Sequence, residues 1–83
     1  MTQAELEAWL AQYVSKLLRT RRTDVDIDMP FGQFGLDSIA AVGLSADLSE
    51  LLGIELADDL AYRFGTIRSL AAHLATFPAR SDP

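Results

Sequence analysis

Ser38 is the side chain in this sequence best placed to do chemistry. Its hydroxyl follows the glycine-containing approach Gly35-Leu36-Asp37 and precedes an apolar run that begins at Ile39. A hydroxyl at a helix start lies among N–H dipoles that favour an anion, so a phosphodiester attached there would be electrostatically accommodated. The plainer alternative is that Asp37 or Ser38 caps the helix, a contribution of about 1 kcal/mol. Neither completes a reciprocal capping box, because Ala40 and Ala41 stand at the positions where a glutamate would be needed.

The other candidates are weaker. His73 is the single histidine, with no cysteine in the chain and no serine in a nucleophile-elbow motif, so it reads as a helix-surface residue. Asp24, Asp26 and Asp28 alternate like the start of a calcium loop, but Met29 stands in place of the turn glycine and Gly35 in place of the bidentate glutamate. No metal site is expected. Arg19, Arg21 and Arg22 are explained by the dipole at a helix C-terminus.

The elements that must position Ser38 follow from periodicity. Leu6, Leu10, Val14, Leu17 and Leu18, widened by Trp9 and Tyr13, make Gln3 to Leu18 an amphipathic helix, with Thr2 and Glu5 forming its N-terminal box. Thr23 to Leu36 lacks helical period and contains Pro30, Gly32 and Gly35, so it reads as a long loop pinned by Val25, Ile27, Met29, Phe31 and Phe34. Loops of that length are more often functional than idle. Ser38 to Leu52 is a second helix with Ala41, Leu44, Leu48, Leu51 and Leu52 as its buried stripe and Gly53 as its stop. Ile39, Val42, Gly43, Ala46 and Glu50 fall on the opposite side, an apolar, small-residue surface that reads as a docking face. Asp58 and Asp59 start a short helix that ends at Gly65, and Thr66 caps a last helix, with Ile67, Leu70, Ala71 and Leu74 inward, closed by Phe77-Pro78. The expected fold is all-α: a bundle of three main helices and one short one, with the long loop between helices one and two. Residues 1–77 form the domain, and 78–83 are expected to be a flexible tail.

Composition bounds the function. The chain has 83 residues, a net charge of −5 and no cysteine, which leaves room for one core and argues for a carrier, adaptor or binding module, not an enzyme with an enclosed cavity. Its N-terminus is polar and no run approaches membrane-spanning length, so a monomer in a reducing cytoplasm is expected, away from the membrane. The net charge has the wrong sign for binding nucleic acid. Nine acidic residues lie between Thr23 and Tyr62 (Asp24, Asp26, Asp28, Asp37, Asp47, Glu50, Glu55, Asp58 and Asp59) with no Lys or Arg among them. Such a block would steer a basic partner to that side.

The run Gly35-Leu36-Asp37-Ser38-Ile39 resembles the signature of the phosphopantetheine-dependent acyl carrier proteins. The likeness extends along the chain through Pro30-Phe31, Phe34, Val42, Leu44, Leu48, Leu52-Gly53, Leu56, Thr66-Ile67 and Leu70 to Leu74. Leu36, where peptidyl carriers commonly have a second glycine, favours the polyketide synthase type, with a peptidyl or aryl carrier of a nonribosomal peptide pathway as the alternative. The resemblance implies that Ser38 carries covalent 4′-phosphopantetheine, placed by a phosphopantetheinyl transferase from coenzyme A, with Asp37 as the adjacent motif residue. It implies no catalysis by the domain itself. Acyl groups held as thioesters would be delivered to partners in polyketide or related fatty-acyl biosynthesis: an acyl-loading ligase or acyltransferase, a ketosynthase and other synthase domains. Ile39, Val42, Gly43, Asp47 and Glu50 are the expected partner contacts. Two departures stand out: Gly43 replaces a frequent glutamate, and Tyr62-Arg63-Phe64-Gly65-Thr66 replaces Phe-Asp-Tyr-Pro-Thr. A docking module in which Ser38 is only an N-cap is the rival reading.

Overall fold

Thr2 opens the first helix as the sequence requires. Its hydroxyl accepts from the Glu5 N–H while the Glu5 carboxylate accepts from the Thr2 N–H, a reciprocal pair that satisfies two donors at the start of α1 (Gln3–Leu18). Those Thr2 contacts, the backbone N–H foremost, hold the Glu5 carboxyl below the usual carboxylate range. The computed structural model describes residues 1–77, so the tail expected at 78–83 lies outside the described residues.

Four α-helices follow in order, α1, α2 (Ser38–Leu52), α3 (Leu60–Phe64) and α4 (Ile67–Leu74), with no strand among the described residues. None is long and apolar enough to cross a membrane. α1 and α4 make the most extensive helix pair. Leu6, Leu10 and Val14 of α1 meet Leu44 and Leu48 of α2, Leu60 and Ala61 of α3, and Ile67, Leu70, Ala71 and Leu74 of α4 in one core. Burying each such side chain stabilises the fold by roughly 1.5–3 kcal/mol, which is what holds a small cysteine-free domain together.

The long connection is more structured than its sequence suggests. Two 3₁₀ turns, Arg22–Asp24 and Phe31–Phe34, break it up, and Val25 and Phe31 are buried in the core. Backbone bonds tie it to the start of α4: the Phe31 N–H donates to the Gly65 carbonyl at 2.7 Å, and the Arg68 N–H to the Ile27 carbonyl at 3.0 Å. Arg68 also grips both carboxylate oxygens of Asp28. This pair holds the Asp28 carboxyl below its ordinary range and commits it to a cation inside the fold, while Asp26 accepts from the Asp28 N–H. The alternating aspartates therefore build a turn and a clasp.

Locally the structure departs from the sequence pattern in several places. Periodicity assigns Leu17, Leu18 and Leu51 to buried stripes, but all are exposed, Leu51 by 41%. Leu52, one residue beyond Leu51, turns partly inward against the core instead. His73 is not a free surface residue: its ring stacks on Phe64 at 4.2 Å and meets the edge of Phe77 at 5.0 Å, a sandwich that local periodicity does not reveal. Asp59 occupies the cap position of α3 without a capping hydrogen bond and contacts Arg63 instead. α4 ends at Leu74, before Phe77. Thr66 does cap α4, accepting from the Ser69 N–H at 3.1 Å.

Candidate functional site

Gly35 closes the second 3₁₀ turn at φ 77°, a left-handed conformation that L side chains adopt at a cost, and it redirects the chain toward α2. Leu36 then turns partly inward against the core. Asp37 is the cap: extended at φ −83°, ψ 177°, it accepts from the Ala40 N–H at 2.8 Å. Ser38 is consequently the first residue of α2. Its side chain is exposed and its hydroxyl makes no hydrogen bond among the described residues. The reading in which Ser38 serves as the N-cap is thus overturned, because the carboxylate one residue earlier takes that role.

Asp37 also modifies the electrostatic expectation. Its carboxylate takes the Ala40 N–H and places a negative charge at the helix start. A phosphodiester on Ser38 would have to lie outward, toward solvent, because like charges repel at that end.

The outer face of α2 carries the apolar residues expected of it. Ile39 is 80% exposed and Val42 43% exposed, while Ala41, Leu44 and Leu48 on the opposite face are buried. Asp47 and Glu50 are exposed and form no salt bridge among the described residues. Asp24, Asp28 and Asp59 are instead paired with Arg21, Arg68 and Arg63. The acidic block of the sequence is thereby sorted into carboxylates clasped by a cation and carboxylates without one, and those on α2 are of the second kind.

Gly43 sits at the edge of this face. Its backbone is helical, and a Cβ built there would lie 3.5 Å from the Tyr13 hydroxyl, an ordinary contact. Neither conformation nor space demands glycine. Tyr13 stacks on Trp9 with ring centroids 5.2 Å apart, and burial, reinforced by the nearby Asp47 carboxylate, pushes its phenol up to about 12.

Contacts that sequence reasoning missed brace the site from behind. Ser45 donates to the Asp58 carbonyl at 3.3 Å, and the Leu56 N–H donates to the Ser49 hydroxyl at 3.1 Å, clipping the connection after α2 onto that helix. The available signal was two serines standing next to leucines of the buried stripe. Tyr62 on α3 donates to the Leu36 carbonyl at 3.1 Å, across 26 residues of sequence. A groove of about 300 Å³ between α1 and the long loop, lined by Ala4, Ala8, Ala11 and Val25 among others, shares no residue with this site.

Residues 8–74 match the family model described as a phosphopantetheine attachment site. Acyl carrier protein TtuC of Teredinibacter turnerae is 39% identical over 75 residues, covering 90% of this chain and 86% of that protein. Erythronolide synthase EryA3 of Saccharopolyspora erythraea is 36% identical over 75 residues, 89% of this chain but 2% of that protein. A crystal structure of a free-standing peptidyl carrier protein from a secondary metabolic pathway of Acinetobacter baumannii superposes with a TM-score of 0.85 at 35% identity, covering 90% of this chain and 94% of that one.

Proposed function

The chain belongs to the phosphopantetheine-attachment family of carrier domains, and on that premise we propose that Ser38 is the residue that receives the arm. The carrier class itself is plain: an acyl carrier protein of polyketide synthase type, bearing covalent 4′-phosphopantetheine and performing no catalysis of its own. When bound, the arm supplies the terminal thiol on which acyl groups ride as thioesters, chemistry that a chain without cysteine lacks.

The observation that carries the Ser38 assignment is the division of labour at the start of α2. Asp37 caps the helix, so the neighbouring hydroxyl is exposed and unengaged. Gly35 turns the chain, Leu36 anchors it, and Ser38 is offered at the end of a rigid helix where a transferase can enclose it. Ile39 and Val42, apolar and exposed beside it, give the enzyme a surface to bind, and Asp47 and Glu50, which form no salt bridge among the described residues, attract its basic residues. Gly43 leaves the same face low.

Carrier domains of synthases work with synthase partner enzymes. The specific partners of this reading are a phosphopantetheinyl transferase acting from coenzyme A, a loading ligase or acyltransferase, and a ketosynthase. Likeness to a peptidyl carrier supports an aminoacyl cargo as the second reading, but Leu36, the relative named as an acyl carrier protein and the further relatives named as polyketide synthases favour an acyl one.

Incubation of the apo-protein with coenzyme A, magnesium and a phosphopantetheinyl transferase tests the site by intact mass. A pantetheinyl gain in wild type and none in Ser38→Ala is expected. A gain in both would move the attachment elsewhere.

A further inference from the structure

The peptide that joins Leu36 to Asp37 is held from two sides. On one, the Leu36 side chain packs partly buried against the core. On the other, its carbonyl accepts from the Tyr62 hydroxyl at 3.1 Å, a bond from α3 that spans 26 residues of sequence. Asp37 follows directly, and its extended backbone at φ −83° aims the carboxylate at the Ala40 N–H. Because each peptide is planar, tilting this one turns φ of Asp37 and swings the cap away from its donor. Upstream the chain has little to resist such a tilt. Gly35 stands at φ 77°, where a glycine moves between conformations at low cost, and its own N–H reaches the Gly32 carbonyl only at 3.4 Å. Residues 32–35 are instead bracketed from α3: Gly65, at its C-terminal end, accepts from the Phe31 N–H, and Tyr62 holds Leu36. Tyr62 is 49% exposed, so burial of its ring does little for the core, and the contact of consequence is the one its hydroxyl makes.

We propose that Tyr62 is a positioning residue for arm transfer: by holding the Leu36 carbonyl, its hydroxyl keeps the approach to α2 in the one conformation that presents Ser38. This rests on the reading of Ser38 as the attachment site. The physical basis is preorganisation. A segment already fixed spares the transferase the entropy of ordering it, whereas a loosened one exacts that cost at binding and raises the apparent KM. Chemistry in the closed complex is unchanged, because the enzyme has by then imposed the geometry. A single hydroxyl–carbonyl bond open to water has a modest net effect, so the change is a few-fold.

Tyr62→Phe deletes the hydroxyl and keeps the ring. Assayed with coenzyme A, magnesium and a phosphopantetheinyl transferase, it is expected to lower kcat/KM by about two- to fivefold, through KM with kcat unchanged. In the apo-protein, NMR relaxation of the backbone amides should show lower order parameters at Gly35, Leu36 and Asp37 and unchanged ones through α1. Ser15→Ala deletes a hydroxyl that donates to the Gln12 carbonyl within α1, and should leave KM near wild type even where it lowers the melting temperature. An unchanged KM in Tyr62→Phe, a loss carried by kcat, an equal loss in Ser15→Ala, or undiminished order at Leu36 and Asp37 would overturn the proposal. Transfer to Ser38 that proceeds equally well in wild type and Tyr62→Phe would remove this inference and leave the Ser38 reading standing. Failure of wild type to accept the arm at all would overturn the Ser38 reading and this one with it.

Discussion

The α1–α4 side of the molecule and the start of α2 handle apolar residues in opposite ways. Leu6, Leu10, Ile67 and Leu70 are completely buried, each facing its counterparts across a helix pair. Ile39 and Val42 stand in solvent on a helix whose other face is just as deeply packed. Exposed side by side at the start of α2, the two form an apolar patch of the kind that marks a docking surface. The comparison teaches that stability and recognition are assigned to different residues, and on α2 to opposite faces of one helix. The polar groups divide likewise: Asp28 is clasped by Arg68 within the fold, whereas Asp47 and Glu50 are exposed and form no salt bridge among the described residues.

The sharpest way to break that division is to move an effect across it. Leu10→Ala, at a fully buried position, should cost about 2–5 kcal/mol in chemical denaturation, enough to unfold much of a small domain. Asp37→Ala removes the α2 cap and should cost about 1 kcal/mol, whereas Ser38→Ala, one residue on, should leave the melting curve within about 0.5 kcal/mol of wild type. Equal losses from the two would mean that both residues hold the helix start. Gly43→Ala should stabilise by about 0.5–1 kcal/mol, because the added methyl meets only an ordinary contact with Tyr13. A destabilised Gly43→Ala would show that the glycine serves the fold after all. Ile39→Ser should change thermal stability by less than about 0.5 kcal/mol while raising the KM for a transferase.

Acid titration sharpens the same contrast. The folded-state carboxyl of Asp28 lies below its unfolded value because of Arg68. Its contribution is therefore present above the unfolded carboxylate range and is lost as pH falls through the lowered folded value. Because the pair is largely open to solvent, it makes a small contribution, and Arg68→Gln should remove that part of the acid sensitivity in melting curves recorded from neutral pH downward.

Much of this was legible because the signals are local. The helix of Gln3 to Leu18, its Thr2–Glu5 box, the stop at Gly53 and the Thr66 cap depend on residues within one or two turns of each other. The exposure of Ile39 and Val42 follows from the angular separation between them and the buried stripe. Departures arise where the deciding neighbour is distant in sequence. His73 lies in α4, yet its environment is set by Phe64 of α3 and by Phe77. Leu51 obeys the helical period but stands exposed, while the adjacent Leu52 is the one that packs against the core.

Sequence alone determined the main helices, the Thr2 and Thr66 caps, the acidic middle and the Gly-Leu-Asp-Ser-Ile run, since propensity, capping and composition act over a few residues. Only the tertiary structure brought Arg68 to Asp28, whereas the Arg21–Asp24 and Arg63–Asp59 pairs lie three and four residues apart. It also assigned the cap to Asp37, leaving the Ser38 hydroxyl open, and brought Tyr62 to the Leu36 carbonyl so that α3 borders the site. Those outcomes depend on pairings 26 to 40 residues apart, or on the choice between two adjacent side chains competing to cap one helix. No local pattern specifies such pairings, because they form only once packing of the buried faces has brought distant segments together.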